Sequence, residues 1–466
     1  MEIIVNMTKK RFRLIAGVAL VWTCVMCASA SAAETPIRPG SELTLKQAIG
    51  IALRLHPRRM EAEAEAKAAG ERVGEARSRL LPQVWGVGEY LRSTDNPIGD
   101  TSYFGLERFP RISGTEHDAL PSAGQNFGTG NNYLAGMSVS QHLYDFGRVR
   151  GLIDESEAER AGAQARLKLA DLDLMFDVSR RYFDLLAAGQ IVKVYEKGVQ
   201  QRKAHLHEAT VMAKADLKPE IDVYTTQAQL ARAELQLIQV RNGADDAKVA
   251  LDNAMGLSDS APEYRQADGL GYEKISDQLP QLLKLAFEMR PELNMLKEEA
   301  RAAGARITEY RSDYFPTVTG TGAYSNMGTG LPAANNFDVG LVITWPIFNG
   351  FATEHQVAEA KFRQDAIRHA IEDLRQQVFQ QVKSAFLNWQ AAFAGIDQAA
   401  RARDASQIQL QLAEKRYQAG LGNIIELEDA QERYTSDSAA YVNALYTYAV
   451  AKAAVDRNSG RALSVF

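Results

Sequence analysis

The sequence predicts a mainly α protein with a small β part, organised as a tandem structural repeat. Three observations carry this. The composition favours long helices, two stretches of the chain repeat in register, and each copy holds two short alternating strands between runs of helical period.

The chain has 466 residues, of which 46% are hydrophobic and 24% charged. That balance is ordinary for a folded protein and too polar for a bundle of membrane helices. Only 14 residues are proline, and Ala, Gln, Glu, Arg and Leu are abundant, as long helices require. Residues 1–33 differ in kind. Lys9, Lys10, Arg11 and Arg13 form a basic start, Leu14 to Met26 is an apolar core, and small residues follow from Ala28 to Ala33. This is a secretory signal peptide, with the cut expected between about Ala30 and Ala33. Both cysteines, Cys24 and Cys27, lie inside it, so the exported chain needs no disulfide. The signal carries those four bases against Glu2 alone, so its loss takes the formal charge from −5 to −8. A mildly acidic chain is a poor nucleic-acid binder through bulk charge. No later segment holds eighteen consecutive apolar residues, so a membrane span would have to be a closed β-barrel.

The repeat organises the rest. Pro57 matches Pro291, Ala68-Ala69-Gly70 matches Ala302-Ala303-Gly304, and Pro82 matches Pro316, all at an offset of 234. Further on, Asn131-Asn132 pairs with Asn335-Asn336, Gln227 with Gln431 and Gly256 with Gly460, at an offset of 204. The first repeat spans 34–256, with helices over about 43–55, 57–80, 149–215 and 219–256. Its strands cover about 83–91 and 132–144, flanking a loop at 91–130. A linker occupies 257–276. The second repeat spans 277–460, with helices over about 278–289, 291–313, 351–419 and 423–457, and strands over about 317–325 and 336–347. Residues 461–466 form a tail.

The strands alternate. Phe337, Val339, Leu341, Ile343 and Trp345 share one face, and Tyr133, Met137 and Val139 share its first-repeat counterpart. This length and pattern suit strands crossing a bilayer with those residues toward lipid. Four strands cannot close a barrel, because the smallest membrane barrels have about eight. Copies of the chain must pool strands: a dimer supplies eight, a trimer twelve. In the helices, Leu230, Ala233, Leu237, Val240, Ala244, Ala247, Leu251 and Ala254 keep coiled-coil spacing. A helix of about 65 residues is on the order of 100 Å long. Asp145 and Asn349 stand as N-cap candidates for the two longest helices.

His205 and His207 are two apart and point in different directions on a helix, so no metal is expected there. No nucleophile–base arrangement stands out, and neither a catalytic residue nor a cofactor is expected.

The stretch Arg416-Tyr417-Gln418-Ala419-Gly420-Leu421-Gly422-Asn423, continuing through Glu426 and Asp429, resembles the turn between the last two long helices of the TolC-like outer-membrane efflux proteins. The strand exits, His142-Leu143-Tyr144-Asp145-Phe146-Gly147 and Pro346-Ile347-Phe348-Asn349-Gly350, resemble that family too. The resemblance implies a homotrimer with a twelve-stranded β-barrel in the outer membrane lipid, continuous with a coiled-coil α-helical barrel in the periplasm. It implies an exit channel for efflux or type I secretion, opened by a periplasmic adaptor and an inner-membrane pump or ABC transporter. It also implies a pore constriction at Asp222, Glu426 and Asp429, with Tyr417 in the closing network. A basic partner present in some members falls at Gly422 here. Three copies of Glu426 and Asp429 around one axis would favour cations. The bland reading is that these carboxylates merely favour a helix N-terminus. The alternative function is a periplasmic coiled-coil adaptor or structural envelope protein. An adaptor would need a β-rich lipoyl-like module beside one hairpin, and the sequence shows none.

Overall fold

The computed structural model describes residues 37, 40–94, 129–257, 261–274, 276–328 and 334–461. The expected signal segment, most of the expected loop 91–130 and the expected tail beyond 461 lie outside the described residues.

The first described elements are a short strand β1 (Glu42–Leu43) and helix α1 (Leu45–Leu55). Thr44 caps α1 reciprocally: its hydroxyl accepts from the Gln47 amide at 3.3 Å, and the Gln47 side chain accepts from the Thr44 amide at 2.9 Å. Helix α2 (Pro57–Ser78) starts on a proline, whose missing N–H costs nothing in a first turn. Strands β2 (Gln83–Thr94) and β3 (Thr129–Tyr144) follow, each reaching three residues further toward the loop than its alternation indicates. A long hairpin comes next, of α3 (Arg148–Lys214) and α4 (Glu220–Ala254). After β4 (Arg265–Gln266), the second copy runs α5 (Leu279–Met289), α6 (Pro291–Ser312), β5 (Thr317–Gly328), β6 (Ala334–Thr344), α7 (Ala352–Gln418) and α8 (Ile424–Ser459). Strand β6 stops at Thr344, short of the expected 347, because Pro346 has no amide to donate to a ladder. Among the described residues no helix is long and apolar enough to cross a membrane.

Within the expected linker 257–276, described residues strap onto the first hairpin. There β4 pairs in parallel with β1, and Asp268 accepts from the Leu45 amide and the Tyr182 hydroxyl, both at 2.8 Å. Two-residue strands carry no periodicity to read, so the sequence pattern misses them.

Each short helix covers the middle of one long hairpin. Ala48, Ile49 and Ala52 pack with Leu174, Val178, Tyr182 and Leu251. Leu282 and Ala286 pack with Val378, Val382, Phe386 and Val455 at the equivalent positions of the second copy. The buried stripe of α3 runs through Leu174, Val178 and Tyr182, while Leu169, Leu172 and Phe176, of similar spacing, are only half-buried. Where α3 meets α6, a Cβ at Gly151 would lie 2.9 Å from the Glu309 amide nitrogen, so only glycine permits this approach.

At the far end, β2–β3–β5–β6 form one antiparallel sheet. The register puts Tyr90 opposite Tyr133, Met137 opposite Tyr324, and Tyr324 opposite Phe337. Met137, Val139 and the odd-numbered residues of β6 therefore share one face with Tyr133.

Sheet and hairpins join through an abrupt turn of the same shape in both copies. Phe146 and Gly147 have φ of 53° and 100°, and Gly350 and Phe351 have φ of 67° and 63°. Glycine and phenylalanine exchange places between copies, yet the left-handed pair stays. The strained phenylalanines are held by ring contacts: Phe146 stacks on Phe315 at 4.8 Å, and Phe351 meets Phe348 at 5.5 Å. These turns also correct the capping expectation. The residues preceding the long helices are Gly147 and Phe351, not Asp145 and Asn349. Asp145 still serves helix α3, accepting from the Gly147 and Val149 amides at 3.1 and 2.7 Å. Asn349 instead donates its amide to the Thr353 hydroxyl at 2.7 Å.

Candidate functional site

The two long hairpins end side by side, one at the α3–α4 turn and one at the α7–α8 turn. Residue types dictate both turns. Gly420 takes φ of 74°, and the Leu421 and Gly422 amides both return to the Arg416 carbonyl at 2.9 Å. Asp216 holds φ of 57° at the equivalent place in the first hairpin. A Cβ at Gly422 would lie 3.1 Å from the Tyr417 nitrogen and 3.2 Å from the Arg416 carbonyl carbon, so the turn leaves little room for a side chain there. Asn423 then caps α8, its side-chain oxygen accepting from the Glu426 amide at 2.8 Å.

Two contacts tie the tips together. Tyr417, fully buried at the end of α7, donates its hydroxyl to the Asp222 carboxylate at 3.3 Å. Asp222 is itself buried in the first turn of α4, where free helix amides favour a negative charge. Burial and this carboxylate push the Tyr417 phenol up, so it remains a donor at any working pH. The second tie is Lys218, whose ammonium donates to the Gly422 carbonyl at 3.1 Å and lies 4.8 Å from the centre of the Tyr417 ring.

The sequence-expected site residues thus divide. Asp222 and Tyr417 meet directly. Glu426 and Asp429 lie exposed on α8, and Glu426 faces Arg416 at 3.1 Å. Asp222 and Glu426 are repeat equivalents, yet one is buried and the other exposed. Lys218 was invisible as a site residue, although the repeat offers a signal: it is the counterpart of Gly422, the position at which some members of the resembled family carry a base. In this structure a base from the other hairpin reaches the Gly422 carbonyl.

A second polar layer lies deeper between the hairpins and had no sequence signal. Arg202 of α3, nearly fully buried, donates to Glu432 of α8 at 2.7 Å and stands 3.4 Å from Glu428. Gln431, also buried, donates to Gln201 at 3.0 Å. Charged residues in a helix pattern read as a solvated face, and only packing shows otherwise.

Comparison with known proteins agrees with this architecture. Residues 48–257 and 282–461 match the family model described as "Outer membrane efflux protein". The outer membrane protein TolC of Salmonella enteritidis is 24% identical over 412 residues, covering 85% of this chain and 77% of that protein. The CmeC outer membrane channel of Campylobacter jejuni superposes with a TM-score of 0.75 at 16% identity, covering 89% of this chain and 85% of that one. The open state of the MtrE outer membrane channel of Neisseria gonorrhoeae gives 0.73 at 20% identity, covering 93% and 94%. On the paired family match, the sheet joined to long hairpins and these likenesses, the chain belongs to the outer membrane efflux protein family and is a channel protein of the bacterial outer membrane.

Proposed function

We propose that the chain is the passive exit duct of a tripartite efflux or type I secretion system, working as a homotrimer. The observation that carries this reading is the unfinished sheet. Among the described residues β2 and β6 are edge strands, and a long apolar edge left open invites pairing with another copy. On β6, Phe337, Val339, Leu341 and Ile343 are 75%, 73%, 70% and 68% exposed, an apolar row left largely uncovered among the described residues. Lipid is the solvent that accepts such a row, and Trp345 at its end suits the membrane interface. Three copies complete a twelve-stranded barrel whose hairpins continue as an α-helical tunnel. Exposed apolar residues on the hairpins, among them Leu235, Ile238, Ile408 and Leu412, support contact between copies.

In this reading the duct catalyses nothing, and its energy comes from an inner-membrane pump or ABC transporter joined through a periplasmic adaptor. The tunnel closes at the hairpin tips, where Tyr417 and Asp222 hold neighbouring hairpins together. Glu426 and Asp429 give the narrow end its negative charge. Reconstitution of the detergent-solubilised protein into planar bilayers tests this. Discrete cation-selective conductance from a trimer is expected, and a trimer that never conducts rules the duct out.

A further inference from the structure

The layer above the tips contains a histidine that the duct reading leaves unused. His205 of α3 is 5% exposed, and its ring lies between carboxylates of the other hairpin. Nε2 is 3.7 Å from Glu414 of α7, and Nδ1 is 3.9 Å from Glu428 of α8. Neither distance is a hydrogen bond. Arg202 and Glu208 flank it on its own helix, and Glu432 of α8 takes the outer side of Arg202. Helix α4 meets α3 on a different side, through Lys203 and Glu234 at 3.1 Å. Among the described residues, His205 Nδ1, Arg202 Nε, both Glu428 carboxylate oxygens and the Gln431 side-chain oxygen are buried without a hydrogen-bond partner. Arg202 Nε and one Glu428 oxygen still face each other as an ion pair at 3.4 Å, but the cluster is short of hydrogen bonds, which makes it a weak point of the packing.

We infer that His205 is the proton-sensitive element of a latch between the two hairpins: a proton on its ring works to part them. This rests on the duct reading, in which parting the hairpins opens the tunnel. With the hairpins packed, His205 is best accommodated neutral. Glu414 and Glu428 would attract a charged ring, but burial raises both carboxyls, and the ring itself would sit desolvated beside the Arg202 guanidinium; burial first and Arg202 second bring its pKa to about 4. With the hairpins apart the ring meets water and regains its ordinary value near 6.5. The separated state therefore binds the proton more tightly. The packing contribution of neutral His205 is complete above pH about 6.5 and is lost as pH falls toward about 4. Glu414 and Glu428 act in the opposite sense, since burial raises both and packed hairpins hold their protons better. The histidine's share is thus read as a difference between variants.

The experiment compares the open fraction in planar bilayers at pH 7.5 and pH 5.5 for the wild type and His205→Gln. One pH unit below the free histidine value, the wild-type acid-to-neutral ratio should exceed that of the variant by about tenfold per chain. Equal ratios overturn the latch. Glu428→Gln supplies a second reading that leaves the histidine in place. It removes an opposing proton acceptor and should enlarge the acid response, whereas a reduced response counts against the latch. A protein that conducts at no pH sinks the duct reading itself. One that conducts with ratios unchanged by His205→Gln sinks the latch alone.

Discussion

Replacing Tyr417 with phenylalanine isolates one hydrogen bond at the tips. The ring fills the same space, and Lys218 keeps an aromatic face to cover, so the packing and the cation–π contact survive. What disappears is the donor to Asp222, a carboxylate only 8% exposed. Hydrogen bonds to charged groups contribute about 1.5–3 kcal/mol. This bond is long at 3.3 Å, and the first turn of α4 gives Asp222 other favourable dipoles, so the low end applies. A loss of about 1.5 kcal/mol per chain corresponds to about tenfold in the closed-to-open ratio. If three chains open together, the ratio shifts by about a thousandfold. Single-channel recording in planar bilayers measures this as the fraction of time spent conducting. A folded, trimeric Tyr417→Phe protein whose open fraction matches the wild type would show that the Tyr417–Asp222 bond does not hold the tips shut.

Other substitutions test other parts of the structure. Leu341→Arg places a charge in the outward apolar row of β6, at a cost of about 2–4 kcal/mol near a bilayer midplane. Its yield in the outer-membrane fraction should fall sharply, and undiminished insertion would argue that this row does not face lipid. Glu426→Gln combined with Asp429→Asn should weaken block by divalent cations several-fold, and unchanged block removes both carboxylates from the pore. Tyr182→Phe deletes the hydroxyl placed 2.8 Å from both the Leu43 carbonyl and Asp268, loosening the strap across the first hairpin. Thermal unfolding should show a loss of about 1–3 kcal/mol, and an unchanged midpoint would mean that water replaces the bond without penalty.

Local pattern makes the fold class legible because helix and strand periods are properties of short stretches. The odd-numbered residues of β6 read as one apolar face in the sequence, and the sheet register shows Phe337, Val339 and Leu341 on a common face with Met137 and Val139. The strap at β4 escaped, since Tyr264 and Asp268 bond to residues in other elements rather than to neighbours. The candidate site divides for the same reason. The acidic and aromatic residues around Tyr417 are visible as a motif, while Arg202 and His205 look like ordinary polar residues on a helix and Lys218 like an ordinary charge in a turn.

By itself, the sequence determined that the chain is duplicated, that its helices are long, and that its strands are too few to close a barrel alone. Those are statements about order and period, which survive without knowledge of any partner. Only the tertiary structure decided which turn residues meet. It joined Asp222 to Tyr417, and Lys218 to Gly422, across 195 and 204 residues of chain. It also separated Asp222 from its repeat equivalent Glu426, burying one and exposing the other. A helical period names the face on which a residue stands. Whether that face meets water or another hairpin depends on how two rods pack side by side, and that contact is made by residues far apart in sequence.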